Sequence, residues 1–383
     1  MNSRCRRLIC CLGLVISSST AAAAAAHEIH VLPGQSIQAA VDRARPGDRV
    51  VVFPGVYHEA GSPCPDDPTT VCAVVVAQNG IALIGASRPG HPVLLENAGG
   101  QADGIAVARR GASGAHCLGD RRQRLAGAAV AGFTVTGFGR NGIHLLCVDG
   151  WSLTDNVTEN NGLYGLFPSH CGAGTVHHNV ASGAHDTGIY VGQSHDVVET
   201  DNVAHDNVSG FEVENCERVV LHHNQAFGNT AGILLFLSPG LDVEVSRDNV
   251  LDGNSVHDNN ALNTCPPGDD VCLVPPGSGI LVIGGAGNVI AGNRVQGNRS
   301  GGVFLLDTCT AFQVPPSQCG ALGFDPLPES THIERNVVTG NGGDPADTLF
   351  PGADLLWDGV GAGNCWEDNV ATVVVPPALP PCR

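Results

Sequence analysis

From residue 142 onward the chain repeats a glycine followed by two apolar residues one and three positions later, at Gly142, Gly165, Gly188, Gly210, Gly232, Gly279 and Gly302. The spacings are 23, 23, 22, 22, 47 and 23. A fixed period of this length restricts the fold to a stack of near-identical coils, because one repeat cannot bury its apolar face alone. An asparagine follows 14 residues after most of these glycines, at Asn156, Asn179, Asn202, Asn224 and Asn293. Stacked asparagine side chains can satisfy the polar backbone of a tight corner. Asn249 comes three residues late, which the turn Ser238-Pro239-Gly240 would explain. The 47-residue step reads as one further coil marked by Asn254 and Asn259. Only 4% of the residues are aromatic against 43% hydrophobic, so the expected core is a thin one of Val, Ile, Leu and Ala, suited to strands. A solenoid grows in one dimension, so 383 residues imply one elongated domain rather than two or three.

Strand alternation assigns sides. Positions one and three after each glycine are apolar and point inward: Ile143/Leu145, Leu166/Pro168, Ile189/Val191, Phe211/Val213, Ile233/Leu235, Ile280/Val282 and Val303/Leu305. Positions two and four then point outward, as His144/Leu146, Phe167/Ser169, Tyr190/Gly192, Glu212/Glu214, Leu234/Phe236, Leu281/Ile283 and Phe304/Leu306. The lower coils present imidazole, aromatic and acidic groups. The upper coils present bare hydrocarbon, which calls for a cover such as the loop 309–332.

The ends differ from the middle. Arg4, Arg6 and Arg7, an apolar run from Leu8 to Ile16 and the small residues Ala24, Ala25 and Ala26 have the form of a secretory signal peptide over 1–26. The domain then spans 27–383, divided into an N-terminal cap at 27–60, irregular first coils at 61–136, regular 22–23-residue coils with loops at 137–350, and a C-terminal cap with a Pro-rich tail at 351–383. A secreted or periplasmic location follows. No other stretch is long and apolar enough to span a bilayer, and Cys10 and Cys11 come too early to be a lipid-anchor site. Without the leader, 12 of 15 cysteines remain, an even number that reads as disulfides. Local spacing favours Cys64 with Cys72, Cys265 with Cys272, Cys309 with Cys319 and Cys365 with Cys382. Among Cys117, Cys147, Cys171 and Cys216 the pairing stays open: Cys147 and Cys171 lie on adjacent coils, whereas Cys171 and Cys216 are two coils apart, roughly 9.6 Å.

The net charge of −18 grows more negative when three leader arginines leave, which excludes nucleic acid and anionic membrane as partners. No lysine occurs in the chain, so Schiff-base chemistry is excluded as well.

The segment P-G-Q-S-I-Q-A-A-V at 33–41, followed by P-G-D-R-V-V-V-F-P-G-V-Y at 46–57, resembles the opening of right-handed parallel β-helix proteins of the pectate-lyase-like superfamily. The resemblance implies an all-β, single-stranded right-handed parallel β-helix solenoid. Ser36 would cap a short N-terminal helix lined by Ile37, Ala40, Val41 and Ala44. The superfamily holds lyases, hydrolases, epimerases and non-catalytic members, so it does not fix a reaction. Whole coils, through G-I-Y-V-G-Q-S, G-F-E-V-E-N and G-I-L-L-F-L, are similar to a family of exported bacterial β-helix repeat proteins to which no activity is attached. The β-helix accessory proteins of periplasmic copper insertion are a more distant resemblance. Met1 is the only methionine, which excludes a methionine-based copper(I) site. Tyr164, Gly165 and Pro168 resemble the Tyr-Gly-x-Asp-Pro-His segment of alginate C5-epimerases, but Phe167 and Ser169 stand where that motif has Asp and His. The outward column also carries no Arg or Lys to neutralise a uronate carboxylate. Both facts argue against lyase and epimerase chemistry.

The candidate site is the outward face of the lower coils, expected to bind a polysaccharide or another extended polymer. Glu212 and Glu214 are two apart on one strand, with carboxyl groups roughly 6.5–7 Å apart, which overlaps the separation in inverting glycosidases. With Tyr190 they are the candidate catalytic residues of a hydrolase. His144, Phe167 and Tyr190 are the candidate substrate-binding residues. The plainer reading is a non-catalytic carbohydrate-binding or scaffold strand with solvated charges. A second column, Asp155, His178, Asp201, His223 and Asp248, precedes the asparagines and could hold a divalent metal in a metal-handling protein, or simply avoid stacking like charges. No cofactor is required by either reading. The pairs His185-Asp186, His195-Asp196 and His205-Asp206 read as turn residues with surface charge.

Overall fold

A computed structural model describes residues 26–346 and 349–382; the expected signal peptide falls almost wholly outside them. Every coil contributes strands to three long sheets of 12, 10 and 12 strands. Pairing within them is parallel apart from Ser62–Pro63 against Val71–Val76. In the sheet that carries the outward column, Asp103–Val107, Asn141–Leu146, Tyr164–Ser169, Thr187–Gly192, Ser209–Glu214, Ala231–Phe236, Ser278–Ile283, Gly301–Leu306 and Ala353–Trp357 lie side by side. The stretch 61–136 takes part in the same three sheets through strands such as Ile81–Gly85, Val93–Glu96 and Leu125–Ala131.

The repeated glycine exists because the coils approach closely there. A Cβ at Gly142 or Gly210 would lie 2.6 Å from the carbonyl oxygen of the corresponding glycine one coil on, and the same contact recurs at Gly165, Gly232 and Gly279. No side chain fits in that space.

The asparagines form ladders. Each donates its backbone N–H to the side-chain oxygen of the next, through Asn156, Asn179, Asn202, Asn224, Asn254, Asn293, Asn336 and Asn369, at 2.9–3.0 Å. The side-chain amides donate along the same column and back to the coil below. A second ladder runs through Asn207, Asn229, Asn259, Asn298 and Asn341 to Asp354. Two sequence expectations are corrected here. Asn254, not Asn249, continues the first column, and Asn249 begins a separate contact to Asn288 at the other end of its strand. The 47-residue step holds no further coil: Ala231–Phe236 pairs directly with Ser278–Ile283, and the extra residues are loops at two corners.

Inward positions one and three are buried with at most 1% exposure from Ile143 to Leu305, Pro168 being buried as well. The helix Ile37–Val41 has the expected Ser36 cap, whose hydroxyl accepts from the Ala39 N–H. Ile37, Ala40 and Val41 join the main core, with the helix packed on Glu28–Val31, Arg49–Val52 and Val71–Val76. All four locally spaced disulfides form, and Cys117 bonds Cys147, leaving Cys171 and Cys216 buried as thiols. One inward residue breaks the apolar rule. Glu199 pairs with Val176 and Leu221 of the neighbouring coils, is fully buried, and neither carboxyl oxygen has a hydrogen-bond partner. Burial raises its pKa well above the usual carboxylate range.

Candidate functional site on the lateral face

The outward column starts from an ionic anchor. Asp103, fully buried, accepts both arms of the Arg140 guanidinium at 2.9 and 2.8 Å and contacts His144 Nδ1 at 3.0 Å. Asn141 donates to the same carboxylate at 2.9 Å. Arg140 also pairs with Asp66 at 3.0 Å. Burial alone would raise the Asp103 pKa, but hydrogen bonds from His144 and Arg140 outweigh it and hold it down to about 2.

Above this anchor the rings form a platform. His144 and Phe167 lie 5.2 Å apart, Phe167 and Tyr190 stack at 4.6 Å, and Tyr164 packs on both at 4.3 and 5.2 Å. Parallel register puts them there, since His144 pairs with Phe167 and Tyr190 with Glu212. Gly192 makes room for Tyr190, because a Cβ at that position would collide with the tyrosine hydroxyl.

The platform leads to three carboxyl groups. Tyr190 Oη donates to Glu214 Oε2 at 2.5 Å. Thr187 donates to Asp186 at 3.0 Å, and Tyr164 also hydrogen-bonds Asp186. Glu212 is only 4% exposed, and its Oε1 has no partner. Burial, then the charges of Asp186 and Glu214, raises the Glu212 pKa well above the carboxylate range. Burial lifts Glu214 to about 7 against hydrogen bonds from Tyr190 and Ser238, and Asp186 to about 6 against those from Tyr164 and Thr187. All three line a cavity of about 430 Å³ whose floor continues along the same sheet through Leu234, Leu281 and Phe304, within the usual range for small-molecule sites.

A family model described as right handed beta helix region matches residues 93–243. The chain folds as a right-handed parallel β-helix. A second family model, periplasmic copper-binding protein (NosD), matches residues 187–314 of the β-helix. Among solved structures, the A-modules of the mannuronan C-5 epimerases AlgE4 and AlgE6 of Azotobacter vinelandii are each 18% identical to it. They cover 85% and 89% of this chain and 86% and 95% of their own, with TM-scores of 0.59 and 0.61. The periplasmic alginate epimerase AlgG is similar at 15% identity over 90% of this chain and 72% of its own, with a TM-score of 0.55. At these identities the likeness is one of fold. No curated protein matches the chain. The five disulfides among the described residues point to an extracytoplasmic protein, and no helix among those residues is long and apolar enough to cross a membrane.

The β-helix therefore brings Glu212, Glu214, Tyr190, Phe167 and His144 onto one face, as their register requires. Three neighbours escaped the sequence reading. Alternation predicts that the residue before each glycine faces inward, yet Asp103 and Tyr164 reach side chains of the outward column, because alternation breaks at the glycine, whose own Cβ position faces core residues such as Val135 and Ala181. Asp186, expected as a surface turn residue, is 5% exposed and lines the cavity. The available signal was its position two residues before Gly188, the place Arg140 holds before Gly142.

The metal column keeps four of its five members at one corner and loses Asp248. Asp155, His178, Asp201 and His223 occupy left-handed corner positions with φ of 54–56°, where Asp, Asn and His are the tolerated side chains. Asp248 belongs to a different corner, since Gly253 precedes Asn254. At this corner the donor atoms that converge within 4.8 Å are those of His177, His178 and Asp201; those of Asp66, Asp103 and His144 converge on the lateral face, where the Arg140 guanidinium already pairs with both carboxylates. His178 contacts Asp155 at 3.7 Å and Asp201 at 4.0 Å, about half exposed. Two imidazoles and a carboxylate suit divalent copper or zinc, so these are the residues that could hold one.

Proposed function

We propose that the β-helix binds an extracellular polysaccharide along this face and hydrolyses it. The observation that carries the reading is a half-buried aromatic surface of Tyr164 and Phe167, backed by the buried rings of Tyr190 and His144, beside a pair of carboxyl groups with unequal surroundings. Flat rings receive the C–H faces of sugars, and the alginate epimerases named above show that the fold can serve proteins of polysaccharide chemistry. Unequal surroundings divide the two roles. Glu212, kept protonated at neutral pH, is placed to give its proton to the leaving glycosidic oxygen. Glu214, supported in its ionised form by Tyr190 and Ser238, is placed to take a proton from the attacking water. The net change is one water added across one glycosidic bond, with a carboxyl spacing of roughly 6.5–7 Å that leaves room for that water.

Turnover across a panel of soluble glycans, followed by new reducing ends, tests this. Glu212→Gln and Glu214→Gln should each lower the rate about 10²–10⁴-fold. The burial of Glu212 favours one alternative, a non-catalytic carbohydrate-binding scaffold. In that case oligosaccharides bind, no glycan is cut and both variants bind as before.

A further inference from the structure

The cavity at the end of the platform is acidic in a way that a glycosidase pair does not require. Glu212 and Glu214 account for an acid and a base. Asp186 is a third carboxyl group on the same wall, and Asp269 and Asp270 stand at the rim. Among the described residues no Arg, Lys or His lines the cavity. Arg140, a cation of the same face, is already held by Asp103 and Asp66, and Arg299 pairs with Asp344. Oε1 of Glu212, on a residue 4% exposed and lining the cavity, has no hydrogen-bond partner within the protein. Leaving such groups unpaired is costly in an apolar enclosure, and the enclosure here is built from Leu234, Phe236, Leu281 and Phe304.

From this geometry we infer that the sugar seated in the cavity carries a free amine, and that Asp186 reads it as an ammonium–carboxylate pair. The inference rests on the polysaccharide reading above and names its substrate class, an amino-sugar polymer. A uronate would bring its own carboxylate against three others, the reverse of electrostatic complementarity. A metal ion fits poorly, because among the described residues the donor sets that converge within 4.8 Å do not include Asp186, Glu212 and Glu214. An ammonium carries three donors on one atom. One can meet Asp186, which Tyr164 and Thr187 already hold in place. The apolar walls exclude water and strengthen such a pair.

The test is calorimetric titration of the whole protein with four hexamers, of glucosamine, N-acetylglucosamine, glucose and mannuronate, at pH 7 and at low and high salt. The glucosamine hexamer should bind about ten- to a hundredfold more tightly than the N-acetylglucosamine hexamer, with the gap narrowing at high salt. Asp186→Asn should remove that preference with an unchanged melting temperature. Phe167→Ala should weaken all hexamers by a similar factor and leave the ratio intact. If Asp186→Asn fails to fold, the wild-type ratio alone decides. Equal or tighter binding of the acetylated, neutral or mannuronate hexamer overturns the amine assignment while leaving the polysaccharide reading standing. Binding of none of the four overturns both.

Discussion

The outward column of one sheet is written in two chemistries. From Gly142 to Glu214 it presents His144, Phe167, Tyr190, Glu212 and Glu214; from Leu234 to Leu306 it presents Leu234, Phe236, Leu281, Ile283, Phe304 and Leu306. Backbone register is continuous across the change, with Glu212 paired to Leu234 and Glu214 to Phe236. What changes is the cover. Over the upper coils Val274, Ala311, Phe312 and Phe350 pack down on the sheet and make a second apolar core. The lesson is that the coil fixes where side chains point, whereas the loops decide whether those positions become core or site.

The largest effect that could break this distinction comes from putting a charge under the roof. Leu281→Asp should cost about 4 kcal/mol, as a buried unpaired charge does, whereas Phe167→Asp, on the half-open platform, should cost far less. Equal losses in denaturant titrations would mean that the two halves are not different environments. Arg140→Gln should cost about 3 kcal/mol, because it leaves the Asp103 carboxylate buried and half-paired. Its pH dependence follows from the Asp103 pKa, lowered from 3.8 to about 2: the stabilisation is fully present above the unfolded value and is lost as pH falls through about 2. The difference between wild type and variant should therefore shrink below pH 4.

Glu199 sharpens the comparison from the inside. Its folded pKa is raised, so the folded state must keep a proton that the unfolded chain gives up, and stability falls as pH rises above the unfolded value. Glu199→Leu should stabilise the protein by about 2 kcal/mol at pH 8 and by progressively less toward pH 4. A pH-independent gain would place the effect in packing instead. For turnover, the Glu214 pKa of about 7 predicts a rate that falls about tenfold per unit as pH drops below it. The smallest expected change is Tyr190→Phe. Losing the hydrogen bond to Glu214 should move that acid limb to higher pH by up to about one unit and cost about 1 kcal/mol of stability.

Much of this was legible because it depends on period. The glycine spacing gave the coils, alternation gave the inward column from Ile143 to Leu305, and the same register set Tyr190 beside Glu212. What was not legible depends on departures from period. Asp103 and Tyr164 face outward because the following glycine takes the inward position and breaks the alternation. Asn249 was misplaced because a loop of unknown path separated it from its column, and the Asn254 that belongs there is visible only once the coil closes. Asp186 looked like its neighbours in the pairs His195-Asp196 and His205-Asp206, and only the loop from Asp269 to Val274 distinguishes it, by turning a surface position into a cavity wall. The roof was foreseen at 309–332 but not in its second part, because nothing local shows that residues after Cys265 fold back over the sheet.

The first asparagine ladder joins residues 22, 23, 30, 33, 39 and 43 apart in sequence with hydrogen bonds of the same length. The frame is therefore insensitive to how much chain departs between two rungs. Loops of different length and chemistry can be exchanged at those corners without disturbing the floor beneath them, so the ligand preference of this face can change by insertion while Tyr190, Glu212 and Glu214 stay where they are.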